Sequence, residues 1–377
     1  MANSVLPEDV MLCILTRLPV KTILRFKSVC KPWRDLFSSP EFRKLHHSQF
    51  SSDPKNQSFI VHIFSEDCGN PKNQFSIFNI ESSKKKPMIL DLPFAHTQKD
   101  NEFFTVGCCN GLVCIYRGHD IVLWNPAMKL FKTVPIKKSG PFLMVSLGFG
   151  YDAEAADFKV VKIVNEKRIV DLKKVFVITS AEMYSVKLDS WIAVNVSFGF
   201  YGFTDRNALT VNGNPYWVAW VDGNKGYLCF DVMELVFKFV PMRIWNDGLD
   251  KETYLGYWNI EVDLIDWNGA LGSICYGNNH FGEPVDSLCV WVFDDGERVW
   301  RKKHTFGPLE EVDVFIFYNF TRNEKLLRCK KTGKLFVLQL ETGYVNKLFY
   351  DICKHDEYEF FEYTESLAFI DGMEKYE

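Results

Sequence analysis

Apolar and polar residues follow two different patterns along this chain of 377 residues. In the first fifty residues, apolar side chains recur three or four positions apart, which predicts amphipathic helices. Beyond residue 58, short apolar runs are separated by clusters of Gly, Asn, Asp and Pro, which predicts β-strands. We therefore expect α+β in two domains, with a small helical domain followed by a large all-β domain.

Proline residues mark the start of each helix that the pattern predicts, at positions 7, 19, 32 and 40. Between Val5 and Leu45, 20 of 41 residues are apolar. A unit of about 40 residues cannot bury that much apolar surface by itself. The surplus either docks on the following domain as a helical cap or binds a partner protein.

Two sequence phrases recur between residues 59 and 371. The first is a short strand that follows a small polar turn, as in "CNGLVCIY" (109–116), "VNGNPYWVAWV" (211–221) and "WNGALGSICY" (267–276). The second is a hairpin with a bulky residue after its turn, at Phe131, Trp191, Phe237, Trp300 and Val345. A unit of about 45 residues predicts a kelch-like β-propeller of about six blades, with seven blades or a β-sandwich as alternatives.

The two ends of this repeat complement each other. The segment 363–371 is similar to the first phrase, whereas the first hairpin, at 59–92, has no opening strand. We therefore predict that a C-terminal strand completes the first blade. The predicted boundaries are 1–48 for the helical domain, 49–58 for a linker, 59–371 for the propeller and 372–377 for an acidic tail.

The N-terminal motifs closely resemble the F-box in its plant form. They are "LPED" (6–9), "ILTRLPVK" (14–21), "LRFKSVCKPW" (24–33) and "SPEF" (39–42), which match over residues 4–46 without a gap. The resemblance implies a three-helix domain that binds the Skp-type adaptor, and through it the cullin, of an SCF ubiquitin ligase. The positions that it assigns to the core and the adaptor-binding face are Leu6, Pro7, Ile14, Leu15, Leu18, Pro19, Leu24, Val29, Cys30 and Trp33. Of these, we expect Leu6, Pro7, Leu18 and Pro19 at the interface and Trp33 partly buried.

The β-rich region resembles the F-box-associated, kelch-type domain of plants. The resemblance depends on "LGFGYDAEAADFKVVKIV" (147–164) and its flanking hairpins, and it extends over residues 59–371. It implies the substrate-recognition half of an F-box/kelch-repeat protein, similar to S-locus F-box-like proteins. Interface hot spots favour aromatic residues, and loops carry specificity. The candidates for target binding are aromatic residues of segments 197–206 and 242–261, namely Phe200, Tyr201, Trp245, Tyr254, Tyr257 and Trp258.

Composition narrows the class of protein further. The net charge is −4, but residues 1–50 hold eight Lys or Arg and four Asp or Glu. This small excess either forms a solvated face or attracts an acidic adaptor, and we expect no nucleic-acid partner. The chain shows no signal peptide or membrane-spanning run, and its eleven cysteines contain no C-x-x-C, so we expect reduced thiols in the cytoplasm and/or nucleus.

The sequence contains none of the common catalytic or phosphate-binding motifs. The adjacent His46 and His47 are expected to face solvent, and we expect no metal site and no cofactor. The predicted function is the non-catalytic substrate-recognition subunit of an SCF ligase that marks a target protein for degradation. The alternatives are an interaction protein that acts outside a full ligase, and a propeller lectin or enzyme with a helical cap.

Overall fold

The computed structural model describes most of the chain between residues 7 and 376. The described residues are 7–65, 72–78, 88–94, 103–118, 120–136, 143–170, 173–196, 208–221, 224–242, 259–278, 288–306, 315–321, 324–329, 334–339, 342, 345–351 and 357–376. The chain divides into two compact units. The first contains Met1–Ile63, Asn70–Ile136 and Phe360–Glu377, and the second contains Phe64–Gly69 and Lys137–Glu359.

Four helices form the N-terminal part of the first unit, which we call the helical head. They are α1 (Glu8–Leu15), α2 (Val20–Phe26), α3 (Lys31–Ser38) and α4 (Pro40–Ser51). The prediction of three helices was therefore wrong. The fourth helix begins after Ser39, whose Oγ accepts a hydrogen bond from the Phe42 N–H at 3.2 Å, and Pro40 fits its first turn. Because α4 ends at Ser51, the predicted linker 49–58 begins inside a helix.

The core of the helical head is made of aliphatic and aromatic side chains from all four helices. Its buried members within the head are Leu15, Val20, Ile23, Phe37 and Phe42. Three ring contacts connect its aromatic residues, with centroid distances of 5.3 Å for Phe26–Trp33, 5.8 Å for Trp33–Phe37 and 5.0 Å for Phe37–Phe42. These contacts join α2, α3 and α4 into one packed layer.

The described residues after the head form strands and a single 3₁₀ turn at Pro54–Asn56. The strands of the first unit's two sheets begin with β1 (Ser58–Ser65), β2 (Lys72–Phe78), β3 (Met88–Leu90), β4 (Phe104–Cys109), β5 (Leu112–Tyr116), β6 (Asp120–Asn125) and β7 (Leu130–Pro135). Those of the second unit are β8 (Leu143–Asp152), β9 (Asp157–Val170), β10 (Lys173–Ser185), β11 (Ser190–Val194), β12 (Leu209–Val211), β13 (Asn214–Val221), β14 (Asn224–Asp231), β15 (Val236–Pro241), β16 (Asn259–Trp267), β17 (Ala270–Asn278), β18 (Leu288–Asp294), β19 (Val299–Phe306), β20 (Phe315–Thr321), β21 (Glu324–Cys329), β22 (Lys334–Gln339) and β23 (Val345–Asp351). The C-terminal strands are β24 (Glu357–Tyr363) and β25 (Glu374–Lys375).

Within the described parts of the chain, these strands form a β-propeller. Five of the six sheets have the four strands of a regular blade, so the number of four-stranded blades is one fewer than the predicted count of about six. The remaining sheet has five strands in the order β25-β7-β6-β5-β4, because β25 pairs with the outer edge of β7. The predicted acidic tail, 372–377, therefore contains a strand.

A C-terminal strand completes the first sheet, as the repeat predicts. The strand order is β24-β1-β2-β3, so β24 supplies the opening strand that the first hairpin lacks. The position differs from the prediction, because β24 ends at Tyr363 and the next seven residues belong to no strand. The predicted topology, in which a C-terminal strand completes the first sheet, was correct. The predicted location of that strand, 363–371, was wrong.

Local turn chemistry explains why the two phrases recur. Asn-Gly pairs join the first and second strands of three sheets, at 110–111, 212–213 and 268–269. Their asparagines have φ of 47°, 47° and 53°, and their glycines have φ of 78°, 80° and 83°. Two consecutive residues with positive φ form the turn that best matches the twist of a hairpin. The bulky residues of the second phrase all lie in the fourth strands, namely β7, β11, β15, β19 and β23.

In the second unit, glycines of β8 allow close approach of the next sheet. A Cβ atom on Gly148 would lie 2.4 Å from the Trp217 ring, and one on Gly150 would lie 2.3 Å from the Gly213 carbonyl oxygen. The buried Trp217 indole also donates a hydrogen bond to the Leu147 carbonyl at 3.0 Å. These glycines therefore serve packing between sheets.

Candidate functional site

The residues predicted to bind the adaptor divide into buried and exposed groups. Leu15 is buried in the core of the helical head, and Leu18, Leu24 and Trp33 are half-buried against that core. Leu6 lies outside the described residues. The exposed members are Pro7, Ile14, Pro19, Val29 and Cys30. Burial thus identifies which of the predicted positions are available to a partner.

Helix α1 has a buried face and an exposed face, and both are apolar. Met11, Leu12 and Leu15 contact the core of the head. On the other face, Val10 and Ile14 have 44% and 49% of their surface exposed. These two residues are four positions apart, and Pro7 precedes Val10 by three, so all three share one side of the helix. Val10 was absent from the predicted set, although its spacing from Ile14 could have revealed it.

The corner between α2 and α3 adds a further exposed apolar side chain. Val29 has 63% of its surface exposed, while its N–H donates to the Phe26 carbonyl at 3.0 Å. The Phe26–Trp33 ring contact holds this corner from the inside. Pro19, at the start of α2, is exposed as well. We call these five exposed apolar residues of the head the apolar surface set: Pro7, Val10, Ile14, Pro19 and Val29.

Basic residues accompany the apolar surface set. Arg17, Lys21, Arg25 and Lys31 are exposed, so either predicted role, a solvated face or attraction of an acidic partner, is open to them. Lys27 differs, because burial and, to a smaller extent, the nearby Arg43 lower its pKa. Lys27 is therefore less available than the four exposed residues to either role.

The expectation that His46 and His47 face solvent was wrong. His46 is buried, and its Nε2 donates to the Leu18 carbonyl oxygen at 2.8 Å, while its ring stacks on Phe50. His47 is half-buried, with Nε2 3.1 Å from Asn110 Oδ1 in the β4–β5 turn. Burial lowers the pKa of both imidazoles, so both are neutral at neutral pH.

Two of the described thiols are inert through burial. Cys114 is fully buried and burial raises its pKa, and burial raises the pKa of Cys229 to about 12. A protonated thiol is a poor nucleophile and a poor metal ligand. Across the described ranges, no group of three or more His, Cys, Asp or Glu is arranged to hold a metal ion. In the same ranges, no helix has the length and apolarity needed to cross a membrane.

All six aromatic residues predicted to bind a target lie outside the described residues: Phe200, Tyr201, Trp245, Tyr254, Tyr257 and Trp258. Their segments follow β11 and β15, which are the fourth strands of their sheets. Strand β16 begins at Asn259, so residues 259–261 of the predicted insertion belong to a blade. These six residues stay a prediction.

Each blade has two ends, and the order of its strands determines which turns lie at each end. In an antiparallel meander, the turns between strands one and two and between three and four lie at the same end. In the β4–β7 sheet, the helical head contacts this end, at Asn110 and at Ala127 and Met128 of the β6–β7 turn. The chain leaves each fourth strand at the opposite end, where β11 and β15 precede the predicted target-binding segments.

The comparison with known families agrees with both halves of this architecture. The F-box domain matches residues 4–45, and the F-box associated beta propeller domain matches residues 60–360. The propeller match alone covers more than half of the chain. The helical head and the sheets described above therefore correspond to two recognised domains.

The chain is also similar to F-box proteins of Arabidopsis thaliana. One, named as a putative F-box protein, is 30% identical over 254 residues, which cover 66% of this chain and 63% of that protein. An F-box/kelch-repeat protein is 27% identical over 319 residues, which cover 79% of this chain and 78% of that protein. The chain therefore belongs to the plant family of F-box proteins that carry an F-box-associated β-propeller domain.

Proposed function

We propose that this protein is the substrate-recognition subunit of an SCF ubiquitin ligase. Its helical head binds the Skp-type adaptor, which connects it to the cullin, and its propeller binds a target protein. The protein itself carries out no bond chemistry. It brings the target to the ubiquitin-conjugating enzyme and so raises the effective concentration of the reacting groups.

The observation that supports this proposal most strongly is the apolar surface set on the head. Soluble proteins seldom leave several large apolar side chains exposed on one small unit unless a partner covers them. Val10, Ile14 and Val29 are exposed although Leu15, Val20 and Ile23 already supply a core for the same helices. The exposed side chains are therefore surplus to folding and available for binding.

The direct test is capture of a purified Skp-type adaptor by the full chain and by two variants. Ile14→Asp and Val29→Asp each place a charge on the proposed interface without touching the core. Burying a side chain of this size contributes about 1.5–3 kcal/mol, so each substitution should weaken capture about tenfold or more.

The control is Leu188→Asp in the β10–β11 turn, which changes a leucine that is as exposed as Val29, at 64% against 63%. We expect this variant to capture the adaptor like the wild type. Equal capture by all four proteins, or no capture by the wild type, would contradict the proposal. Unchanged melting temperatures of the variants exclude unfolding as the reason for any loss.

We infer that the propeller binds its target through the ends of the blades where the fourth strands finish. The support is that the helical head occupies the opposite end of the β4–β7 sheet. Proximity labelling in cells identifies target candidates, and turnover of a true target must depend on Ile14. Alanine substitution of Trp245, Tyr254, Tyr257 and Trp258 that leaves target capture intact would remove these residues from the proposed site.

We place this function in the cytoplasm and/or nucleus. The support is chemical, since seven cysteines among the described residues are free. Five of them are exposed or half-buried, namely Cys13, Cys30, Cys108, Cys109 and Cys289. Free thiols persist where the glutathione pool keeps them reduced. Fluorescence microscopy of the tagged protein is the test, and a purely extracellular signal would contradict this placement.

A further inference from the structure

The chain between β24 and β25 lies against both the helical head and the β4–β7 sheet. Residues 364–371 leave the first sheet after Tyr363, and β25 then pairs with β7, with Glu374 opposite Phe131 and Lys375 opposite Leu130. All of these elements belong to the first compact unit. We call residues 364–371 the mounting segment.

Hydrogen bonds fasten the mounting segment to the two turns at one end of the β4–β7 sheet. Asn125 Nδ2 donates to the carbonyl oxygens of Ser366 at 3.1 Å and Ala368 at 2.8 Å. Ser366 Oγ donates to the Asn110 carbonyl at 2.7 Å. A Cβ atom on Gly111 would lie 2.2 Å from Ser366 Oγ, so the glycine of this turn is required for the approach as well as for its φ of 78°.

Apolar packing joins the other side of the segment to the helical head. Leu367 has only 1% of its surface exposed and is a member of the head's own core, beside Leu15, Val20 and Ile23. The guanidinium of Arg43, in α4, lies 5.2 Å from the centre of the Phe369 ring. The head therefore completes its core with a residue more than three hundred positions further along the chain.

A polar contact aligns the segment with the start of α2. The Glu365 carboxyl group accepts a hydrogen bond from the Val20 N–H and lies near Lys21. An N–H in the first turn of a helix has no acceptor within the helix, and a carboxyl group there also meets the positive end of the helix dipole. This contact relates the segment to one particular helix end.

The C-terminal end of the segment is held by the same sheet. Lys132 Nζ donates to the Asp371 carbonyl oxygen at 3.1 Å, and the Trp124 indole N–H donates to the Tyr376 hydroxyl at 2.8 Å. Together with β24 at its start, these contacts fix the segment at both ends. It cannot move with the head unless one of these attachments breaks.

We propose that the mounting segment, with Leu367 as its positioning residue, fixes the direction in which the helical head presents its apolar surface set relative to the β4–β7 sheet. The covalent connection at 52–57 then has a minor role in setting this direction. As a consequence that rests on the proposed function, the segment sets the geometry between the adaptor and the first blades of the propeller. A fixed geometry matters because proximity accelerates transfer only when the reacting groups are held within reach.

The test measures the distance between the head and the sheet in the full chain. Spectroscopic labels on Arg34 in α3 and Thr133 in β7, both exposed, report the distance distribution. The labels are attached through a non-natural amino acid, because the chain has eleven cysteines. The wild type should give one narrow distribution. Leu367→Ala should broaden it about twofold or more and should speed hydrogen exchange of the α2 amides about tenfold or more, since a large buried side chain is lost.

Two further variants separate positioning from general destabilisation. Ile115→Ala removes the same number of carbon atoms from the core of the sheet, so it should lower the melting temperature and keep the distribution narrow. Leu367→Met conserves volume and should restore the wild-type distribution. A Leu367→Ala protein with the wild-type distribution would overturn the proposal. If Leu367→Ala does not fold, Ser366→Ala replaces it in the test. We expect a broadened distance distribution for Ser366→Ala, and a wild-type distribution would overturn the proposal.

Adaptor capture by the same proteins keeps the two proposals apart. A wild-type protein that captures no adaptor, together with a distribution that broadens in Leu367→Ala, defeats the proposed function and leaves the mounting segment supported. If the wild type captures the adaptor and the distance distribution is unchanged in Leu367→Ala, the proposed function is supported and the mounting-segment proposal is overturned.

Discussion

At the scale of single residues, adjacent positions in the helical head have opposite environments. Ile14 is exposed and Leu15 is buried, although both belong to the same motif. The helical period could predict this division, because Met11, Leu12 and Leu15 share the face that contacts the core. His46 could not be placed in the same way. Its acceptor, the Leu18 carbonyl, lies 28 positions away in the sequence, so no local sequence pattern predicts that hydrogen bond.

The burial of His46 predicts that the stability of the head depends on pH. Burial lowers its pKa in the folded state, so the unfolded chain binds more protons as the pH falls below the ordinary value of about 6.5. Stability of the head should therefore be complete at neutral pH and should decrease as the pH falls through that value. The decrease should stop below the pKa of the folded state. Hydrogen exchange of the α4 amides between pH 7 and pH 5, corrected for intrinsic exchange rates, measures this change.

The control is His46→Gln, which keeps an N–H donor for the Leu18 carbonyl and removes the titrating group. This variant should show a smaller decrease over the same pH range, with a residual part from His47, whose pKa burial also lowers. An equal decrease in both proteins would show that His46 does not carry the effect.

At the scale of elements, the repeat predicted the strands better than it predicted their ends. Asn-Gly turns and bulky residues in the fourth strands gave the correct order, because both are local features of a hairpin. The exact position of β24 could not be predicted, because residues 363–371 resemble an opening phrase but serve as the mounting segment. The pairing of β25 with β7 was missed for a similar reason, since two paired residues leave no periodic pattern.

The role of β24 predicts a sharp difference between two shortened chains. A chain that ends at residue 356 lacks β24 and Leu367, so it exposes the edge of β1 and leaves a gap in the core of the head. We expect this chain to lose cooperative unfolding of the first unit. A chain that ends at Asp371 keeps both features and loses β25 together with the contacts of Tyr376 to Trp124, Phe131 and Lys129. It should lose about 2–4 kcal/mol, as expected for a few hydrogen bonds of about 1 kcal/mol each.

Thermal unfolding followed by circular dichroism compares the two chains. We expect the shorter chain to lose the transition of the first unit and the longer chain to keep it with a modest decrease in Tm. A wild-type transition in the chain that ends at residue 356 would show that β24 does not complete the first sheet.

At the scale of the whole molecule, the compact units do not follow the two domains that the sequence predicts. The first unit contains the F-box helices, two sheets and the C-terminal residues, and the second contains the other four sheets. Sequence could predict both domain types, because helical and strand periods are local. It could not predict that the head shares a core with Leu367, since the hydrogen bonds that hold the mounting segment to the β4–β7 sheet join residues at least 239 positions apart.

The most direct test of the central claim is the hydrogen-exchange footprint of a purified Skp-type adaptor on the full wild-type chain. We expect slower exchange in α1 (Glu8–Leu15) and at the α2–α3 corner around Val29, because the adaptor covers the apolar surface set. Exchange in strands β8 to β23 should stay unchanged. No binding, or binding that leaves α1 and the α2–α3 corner unprotected, would contradict the claim that the exposed apolar surface of the head is the adaptor site.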